Sequence, residues 1–243
     1  MKKIVASILL ILSVFFFING IKEAKYLIQN KLKNQSIREI ATSNADDPFS
    51  RVIDFTKLRA INEDIKAWIY IPETNIDYPI LVGDENEEYI NKNLDKEYTP
   101  LGSIFSYSNT NFTRGNTFIF GHNMANGQMF GELKKYINSD FLNKNKYFYI
   151  YTERKILKCE IFSSFIADEN DDIFGNEYEL GTADYLSLLS KIIDRNNYCD
   201  SNLDKPIIEY STTQIFNLVT CQGNAGTSNR LVVSGLVIEE KIK

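Results

Sequence analysis

The sequence predicts a mainly β protein with helices, in which seven or eight strands form a barrel or a sandwich. The 243-residue chain has a globular composition, with 44% hydrophobic and 24% charged residues, and one main domain is expected. From Ala67 onward, short runs rich in β-branched and aromatic residues are separated by Gly, Asn, Asp and Pro. Two segments with helical patterns interrupt these runs.

The N-terminal residues form an apolar run long enough to cross a bilayer. Two lysines precede a stretch from Ile4 to Ile18 that is nearly all apolar, and the run extends to Ile21. About 20 residues span the hydrocarbon core as a helix, and no small-residue cleavage site follows the run. We therefore expect an uncleaved signal-anchor over residues 1–21, with a cleaved signal peptide as the alternative. The preceding lysines favour a cytoplasmic N-terminus, so the bulk of the chain is expected outside the membrane.

Residues 22–50 connect this run to the predicted domain. They are charged and polar, carry apolar residues at helical spacing and contain Asn-Ala-Asp-Asp-Pro near their end. This pattern predicts a stalk helix followed by a linker. A short helix from Phe55 to Ile65 is expected next, at the start of the domain formed by residues 51–243.

The β-type runs follow in the rest of the chain. They lie at 67–72, Ile76–Leu81, Gly102–Phe105, Asn116–Gly121, Tyr147–Tyr151, Ile156–Ile166, Gln214–Thr220 and Leu231–Ile238. A first helix is predicted at Met129–Ile137. The cluster from Asp168 to Asp172 is interpreted as a solvated loop, with a metal site as the alternative.

A second helix is predicted at Ala183–Ile193, between two of the strands. Thr182 is expected to be its N-cap. Leu186, Leu189 and Ile193 lie at the spacing that places them on one face of the helix.

Charge and cysteine content restrict the function. The formal net charge of −5 gives no broad cationic surface, and no local basic patch suggests a nucleic-acid partner. The three cysteines, Cys159, Cys199 and Cys221, cannot all pair with one another, so an exported chain keeps at least one thiol free or pairs it elsewhere. An unpaired thiol in an exported protein suggests a reactive one.

Cys221 and Arg230 lie at the expected facing ends of two neighbouring strands, joined by a loop. His122, the only histidine, ends another apolar run. A thiolate attacks a carbonyl far better than a thiol does, and a nearby imidazolium or guanidinium favours the thiolate. Arginine can stabilise the oxyanion that forms, and histidine can transfer the proton. These residue types therefore suit acyl transfer through a cysteine.

Each of the three residues also has a structural interpretation. A cysteine that ends an apolar run is usually a small buried hydrophobe. An arginine at a strand start is usually a solvated edge charge, and a lone histidine is usually structural. Spacing alone leaves both interpretations open.

The same residues resemble the sortases, membrane-anchored cysteine transpeptidases of Gram-positive bacteria. The family signature, Thr-Leu-x-Thr-Cys followed by an arginine on the next strand, stands here as Asn217-Leu218-Val219-Thr220-Cys221 with Arg230. Further segments between residues 55 and 238 are similar to class B: Gly121-His122-Asn123-Met124, Met129-Phe130-Gly131-Glu132-Leu133, Asn62-Glu63-Asp64-Ile65, Trp68-Ile69, Ile76-Asp77-Tyr78-Pro79-Ile80 and Gly102-Ser103-Ile104-Phe105.

The resemblance implies an eight-stranded sortase-type β-barrel with N-terminal helices and a helical insertion between strands six and seven. Residues 51–243 would be the extracellular catalytic domain. Cys221 would be the nucleophile, His122 the general acid and base, and Arg230 the group that orients the substrate and stabilises the oxyanion. No metal and no cofactor are expected.

The implied reaction is cleavage of a C-terminal sorting signal after its threonine, through a thioester on Cys221. The protein would then pass to an amine of the peptidoglycan precursor or, in pilus-building relatives, to a lysine of another subunit. Expected partners are surface proteins with a sorting signal, the precursor amine and, through the N-terminal helix, the membrane. The alternatives are a secreted cysteine hydrolase that transfers to water, and a non-catalytic surface domain.

Positions near the cysteine depart from the commonest class B pattern. Asn217 replaces the usual threonine, Val219 stands where serine is frequent, and Gln222 stands where glutamate is frequent. Because these positions flank the substrate groove in the family, they affect whether an Asn-Pro-x-Thr-like or a Pro-x-Thr-Gly-like signal is recognised. Asn91 resembles a substrate-contacting asparagine, and Thr220 would line the same groove.

Overall fold

The computed structural model describes residues 2–43, 46–199, 206–221 and 226–243. Within these residues, eight strands form one closed barrel. The strands are β1 (Ile65–Tyr70), β2 (Asp77–Val82), β3 (Phe105–Ser106), β4 (Asn116–Phe120), β5 (Tyr147–Thr152), β6 (Lys155–Asp168), β7 (Ile215–Cys221) and β8 (Asn229–Ile242). Their order around the barrel is β1-β2-β3-β4-β7-β8-β6-β5. The predicted mainly β class is confirmed, and the fold is a barrel rather than a sandwich.

Two of the strand pairs are parallel. β2 pairs with β3, and β4 pairs with β7, in parallel register, while the remaining neighbours are antiparallel. Antiparallel neighbours need only a short turn, whereas a parallel pair requires a longer crossover connection. The crossover from β4 to β7 contains β5, β6 and a helical segment, and it brings together two parts of the chain that are far apart in sequence.

Helices lie at the N-terminus and between the strands. They are α1 (Lys2–Ala41), α2 (Phe55–Ile61), α3 (Ser139–Lys144) and α4 (Ala183–Asp194), with 3₁₀ helices at Pro48–Ser50, Glu88–Asn91, Leu133–Ile137 and Ile207–Tyr210. α4 lies between β6 and β7, as the resemblance implies. α2 ends at Ile61, four residues before the predicted end, because the chain becomes extended at Asn62 and enters β1.

The prediction of a helix over Met129–Ile137 is wrong in its first half. Met129 has a φ of 51°, outside the helical region, and only Leu133–Ile137 forms a 3₁₀ helix. At Gly131 an added Cβ would lie 2.1 Å from the carbonyl oxygen of Met124, so the backbone packs too closely there for another residue type. Tight turns therefore replace the first helical turn.

α4 begins where the sequence predicts, and its buried face includes residues that the prediction left out. The Thr182 side chain accepts a hydrogen bond from the Tyr185 backbone N–H at 3.2 Å, which confirms the predicted N-cap. The buried residues are Tyr185, Leu188, Leu189 and Ile192. Of the predicted face, Leu189 is buried and Ile193 is partly buried against the same hydrophobic cluster, so the prediction is wrong only for Leu186.

α1 is a single continuous helix over the segments assigned to an anchor and a stalk. It is long and apolar enough to cross a membrane, and its most apolar part is not covered by any other part of the described protein. Its C-terminal end packs on the barrel, where Ile37 and Ala41 are buried. Leu27, ten residues before Ile37 in the same helix, packs against the hydrophobic cluster of the barrel core.

The Asp77 carboxylate joins α1 to the barrel. Asp77 on β2 accepts hydrogen bonds from the Trp68 indole N–H at 2.7 Å and from the Arg51 guanidinium, which lies 2.8 Å away. Arg38 of α1 forms a third contact at 3.1 Å. Asp77 and Arg51 are both buried, at 7% and 8% exposure, so each charge depends on the other for compensation.

We predict that Asp77→Ala lowers the free energy of unfolding by about 3–5 kcal/mol, because Arg51 is left as an uncompensated buried charge. The measurement is chemical denaturation of the full chain in detergent. Glu153→Ala, which breaks the exposed ion pair with Arg59, is the matched control and should cost less than about 1 kcal/mol. Equal losses for the two variants would contradict the prediction.

Candidate active site

The three predicted catalytic residues lie at the ends of adjacent strands. β7 and β8 are antiparallel, and their ladder ends with Cys221 opposite Arg230, which confirms the predicted facing positions. β4 runs parallel to β7 with Phe120 opposite Val219, so the chain leaves β4 at the end of the barrel where β7 terminates. His122 follows two residues after Phe120.

Strand alternation places Cys221 and Arg230 on the outer surface of the barrel. Successive side chains of a strand point to opposite faces. The outer surface under α4 is covered by a hydrophobic cluster that includes Phe118, Val219 and Val232. Cys221 and Arg230 each lie two positions along their strands from a member of this cluster, and His122 follows the end of β4. All three line a single cavity at that end of the barrel.

The cavity has an aromatic wall and a polar rim. Its volume is about 290 Å³. The wall consists of Phe105, Tyr107, Phe120 and Phe174, and Tyr107 and Phe120 have ring centroids 4.9 Å apart. Burial raises the pKa of the Tyr107 phenol to about 12, so this side chain is neutral at physiological pH. The polar side chains of the lining, besides His122, Thr220 and Cys221, are those of Glu87, Glu169, Asn170 and Arg230.

His122 is oriented by a backbone contact. Its Nε2 lies 2.6 Å from the carbonyl oxygen of Ile90. A carbonyl can only accept, so Nε2 carries a proton and Nδ1 is the nitrogen that can gain or lose one. The next residue, Asn123, donates from Nδ2 to the carbonyl oxygen of Cys221 at 2.9 Å. This bond ties the histidine turn to the end of β7.

The Arg230 guanidinium is held by three acceptors of the chain. Nη1 donates to the carbonyl oxygens of Thr227, at 2.7 Å, and of Asn229, at 3.2 Å. Nη2 donates to the carboxylate of Glu169. Arginine has five N–H groups, so two remain for a substrate after these contacts with the described residues.

Comparisons with known proteins agree with this fold. Residues 69–237 match the sortase domain family. The chain belongs to the sortase family. It is 31% identical over 243 residues to sortase B of Listeria monocytogenes. The aligned region covers 95% of this chain and 94% of the relative.

Solved structures of class B enzymes share the fold. Sortase B of Clostridium perfringens is 32% identical, with a TM-score of 0.65 over 76% of this chain and 100% of that one. Sortase B of Bacillus anthracis is 26% identical, with a TM-score of 0.69 over 92% of this chain and 98% of that one. The resemblance to class B, a group of cysteine transpeptidases, is therefore confirmed.

The predicted substrate-contacting residues are distributed unevenly in this sortase. Val219 and Thr220 line the cavity and are buried, at 1% and 3% exposure. Asn91 is exposed and immediately follows Ile90, whose carbonyl contacts His122. Gln222 lies outside the described residues. Asn217 is fully buried and accepts a hydrogen bond from the Ser234 hydroxyl at 2.7 Å, so its departure from the family pattern is accommodated by a contact between β7 and β8.

Two features of the site have no clear signal in the sequence. Glu169 belongs to the acidic cluster for which the sequence predicts a solvated loop, yet it binds Arg230 and lines the cavity. Asp171 and Asp172 in the same cluster pair instead with Arg195 of the segment after α4. The Ile90 carbonyl that contacts His122 is a backbone group, so residue type gives no indication of its role.

The cysteines of the sortase differ in accessibility. Cys221 is partly exposed in the cavity, whereas Cys159 on β6 is fully buried inside the barrel. Burial raises the pKa of the Cys159 thiol well above its ordinary value, because the thiolate cannot be solvated there. Cys159 is therefore a packing residue in the folded protein.

We predict that iodoacetamide alkylates Cys221 of the folded chain at neutral pH and leaves Cys159 unmodified. Because its pKa is raised, the Cys159 thiol stays protonated at neutral pH, and burial keeps the reagent away from it. Peptide mass mapping gives the modified position, with Cys221→Ser as the control. Labelling of Cys159 at the same rate as Cys221 before denaturation would contradict the prediction.

Proposed function

We propose that this sortase cleaves a C-terminal sorting signal after its threonine and transfers the surface protein to an amine of the peptidoglycan precursor. One observation carries the proposal: Cys221 lies opposite Arg230 in the β7–β8 ladder, and both line one cavity with the only histidine of the chain. The geometry suits a thiol nucleophile, an oxyanion donor and a proton-transfer group.

The first half-reaction forms a thioester. The Cys221 thiolate attacks the carbonyl carbon of the signal's threonine, and a C–S bond forms while the carbonyl π electrons move to oxygen. The two uncommitted N–H groups of Arg230 stabilise this oxyanion. As the C–N bond breaks, protonated His122 gives a proton from Nδ1 to the leaving amine.

The second half-reaction releases the product. The acceptor amine attacks the thioester carbonyl, and neutral His122 takes the proton that the nitrogen loses on forming the new C–N bond. The C–S bond then breaks and Cys221 leaves as the thiolate. The enzyme returns to its starting protonation state, so no metal or redox group is required by this balance.

We also propose that α1 anchors the sortase in the membrane by a single span, with the barrel on the extracellular side. The helix has the required length and apolarity, and two lysines in its first turn precede the apolar run. The Gln128 side-chain amide donates to the carbonyl oxygen of Leu27 at 3.1 Å, and Lys33 pairs with Asp95. These contacts support a barrel that packs on the part of α1 that follows the proposed membrane span.

We predict that the full chain in detergent joins a sorting-signal peptide to an added amine, triglycine or diaminopimelate, and that mass spectrometry detects the joined product. A panel of Asn-Pro-x-Thr-like and Pro-x-Thr-Gly-like peptides identifies the signal. A lysine-bearing pilin peptide as a better acceptor would favour the pilin-polymerising alternative. Release to water alone with every amine would favour a hydrolase and contradict the transpeptidase proposal.

Active-site substitutions test the proposed roles in the same assay. Cys221→Ala should abolish cleavage because no thioester can form. His122→Ala should lower kcat by about 10²–10⁴-fold. Arg230→Lys keeps the charge but loses the planar N–H array, and we expect a fall of about 10²-fold. Retained activity in any variant would remove that residue from the mechanism.

We further predict that Thr220 acts on the substrate rather than on stability. Its buried Oγ1 has no hydrogen-bond partner among the described residues, and such a hydroxyl lowers stability by about 1–3 kcal/mol. Thr220→Val should therefore leave the free energy of unfolding unchanged or raise it, while kcat/KM falls about tenfold because Thr220 lines the cavity next to Cys221.

Thr117→Val is the matched control for this substitution. Thr117 lies on β4, is fully buried, and also has an Oγ1 without a partner in the described part of the chain. It is absent from the cavity lining. The same change should affect stability similarly at both positions, but kcat/KM only at Thr220. Equal kcat/KM for wild type and Thr220→Val would exclude a substrate contact.

A further inference from the structure

Glu169 occupies a defined position beside the proposed oxyanion donor. It is the first residue after β6, whose last rung pairs Asp168 with Asn229. The Glu169 backbone N–H donates to the carbonyl oxygen of Ser228 at 2.8 Å and extends the ladder by one more bond. The backbone of Glu169 is therefore fixed against the segment that leads into Arg230, and its carboxylate binds the guanidinium.

The contact with Glu169 helps to restrict the Arg230 side chain, which otherwise has several freely rotating bonds. Two carbonyl acceptors, from Thr227 and Asn229, fix one terminal nitrogen of Arg230, and Glu169 fixes the other. With both terminal nitrogens bound, the plane of the guanidinium is set. Oxyanion stabilisation depends on donors that already point to the position of the developing charge.

We propose that Glu169 is a positioning residue, which holds the Arg230 guanidinium in the orientation needed at the Cys221 thiol and offsets part of its charge. The proposal rests on the proposed transpeptidase function. Glu169 acts through Arg230 and touches neither the thiol nor the scissile bond. Because it is partly exposed, at 44%, the ion pair adds little to stability, and its effect is on the reaction.

The charged and titratable groups around the thiol come from several elements. His122 follows β4, Arg230 is the second residue of β8, and Glu87 precedes the 3₁₀ helix at Glu88–Asn91. Asp168 is held by hydrogen bonds from Asn170, which lower the pKa of its carboxyl and keep it ionised. Within this set, Glu169 is the carboxylate that forms an ion pair with Arg230.

Glu169→Gln and Glu169→Ala test the proposal in the full chain, with Asp172→Asn as the matched control. Asp172 is on the same acidic segment and pairs with Lys191 at 2.6 Å, but it does not line the cavity. In the peptide-cleavage assay we expect kcat to fall about 10- to 100-fold for Glu169→Ala, with KM changed less than about threefold. Glu169→Gln, which keeps an acceptor oxygen, should lose less, and Asp172→Asn should equal wild type.

A second measurement uses the thiol and no substrate. Without the carboxylate, the positive charge of Arg230 is no longer offset, so the thiolate of Cys221 is favoured. The midpoint of iodoacetamide alkylation of Cys221 against pH should therefore move to lower pH in both Glu169 variants. A change that only loosened the fold would not produce a faster thiol together with slower cleavage.

A double-substitution cycle assigns the effect to Arg230. In the Arg230→Lys background, Glu169→Gln should change kcat by less than about twofold, because the oriented guanidinium is already absent. Wild-type kcat and an unmoved alkylation midpoint in Glu169→Ala would overturn the proposal. So would an equal loss from Glu169→Gln in both backgrounds.

These outcomes are separate from the fate of the proposed function. If no peptide is cleaved by wild type, the transpeptidase proposal fails, while alkylation still reports whether Glu169 offsets the charge of Arg230. If cleavage and transfer occur but neither Glu169 variant differs from wild type, only the role of Glu169 fails. Circular dichroism of each variant confirms that the measured chain is folded.

Discussion

The parallel pairing of β4 with β7 is the constraint on which the rest of this sortase depends. It places the end of β4 beside the end of β7, so that His122 and Cys221 line one cavity. The two segments are far apart in sequence: Asn123, which binds the Cys221 carbonyl, precedes that cysteine by 98 positions. A parallel pair requires a long crossover. Here the crossover contains β5, β6 and α4. α4 packs on the same outer surface of the barrel, beside the site.

The sequence predicted the local part of the site better than the non-local part. Cys221 and Arg230 belong to strands joined by a short loop, so their facing positions follow from strand alternation and a hairpin connection. No periodicity indicates which distant strand will lie beside β7. His122 is a candidate because it is the only histidine in the sequence, and the family resemblance implies its role. The contacts of Asp77 and Glu169 join distant segments, and the residue types alone do not reveal them.

The errors in the helix predictions have the same physical origin. Met129 begins an apolar pattern that resembles a helix, but close backbone packing at Gly131 imposes turns. α4 has the predicted start, yet tertiary packing selects Tyr185 and Ile192 for burial. Helix propensity fixes neither the rotation of a helix nor its persistence where the neighbouring barrel leaves too little room.

The contact between Glu169 and Arg230 depends on the register of the long β6–β8 ladder. Two bulges interrupt this ladder, one that leaves Ile238 of β8 unpaired and one that leaves Phe162 of β6 unpaired. Each shifts the pairing by one residue in the opposite sense, so the register beyond both is the same as before either. A single uncompensated bulge would pair Asp168 with a neighbour of Asn229 and reverse the relative faces of Glu169 and Arg230. The paired bulges let the ladder bend around the barrel while the carboxylate still meets the guanidinium.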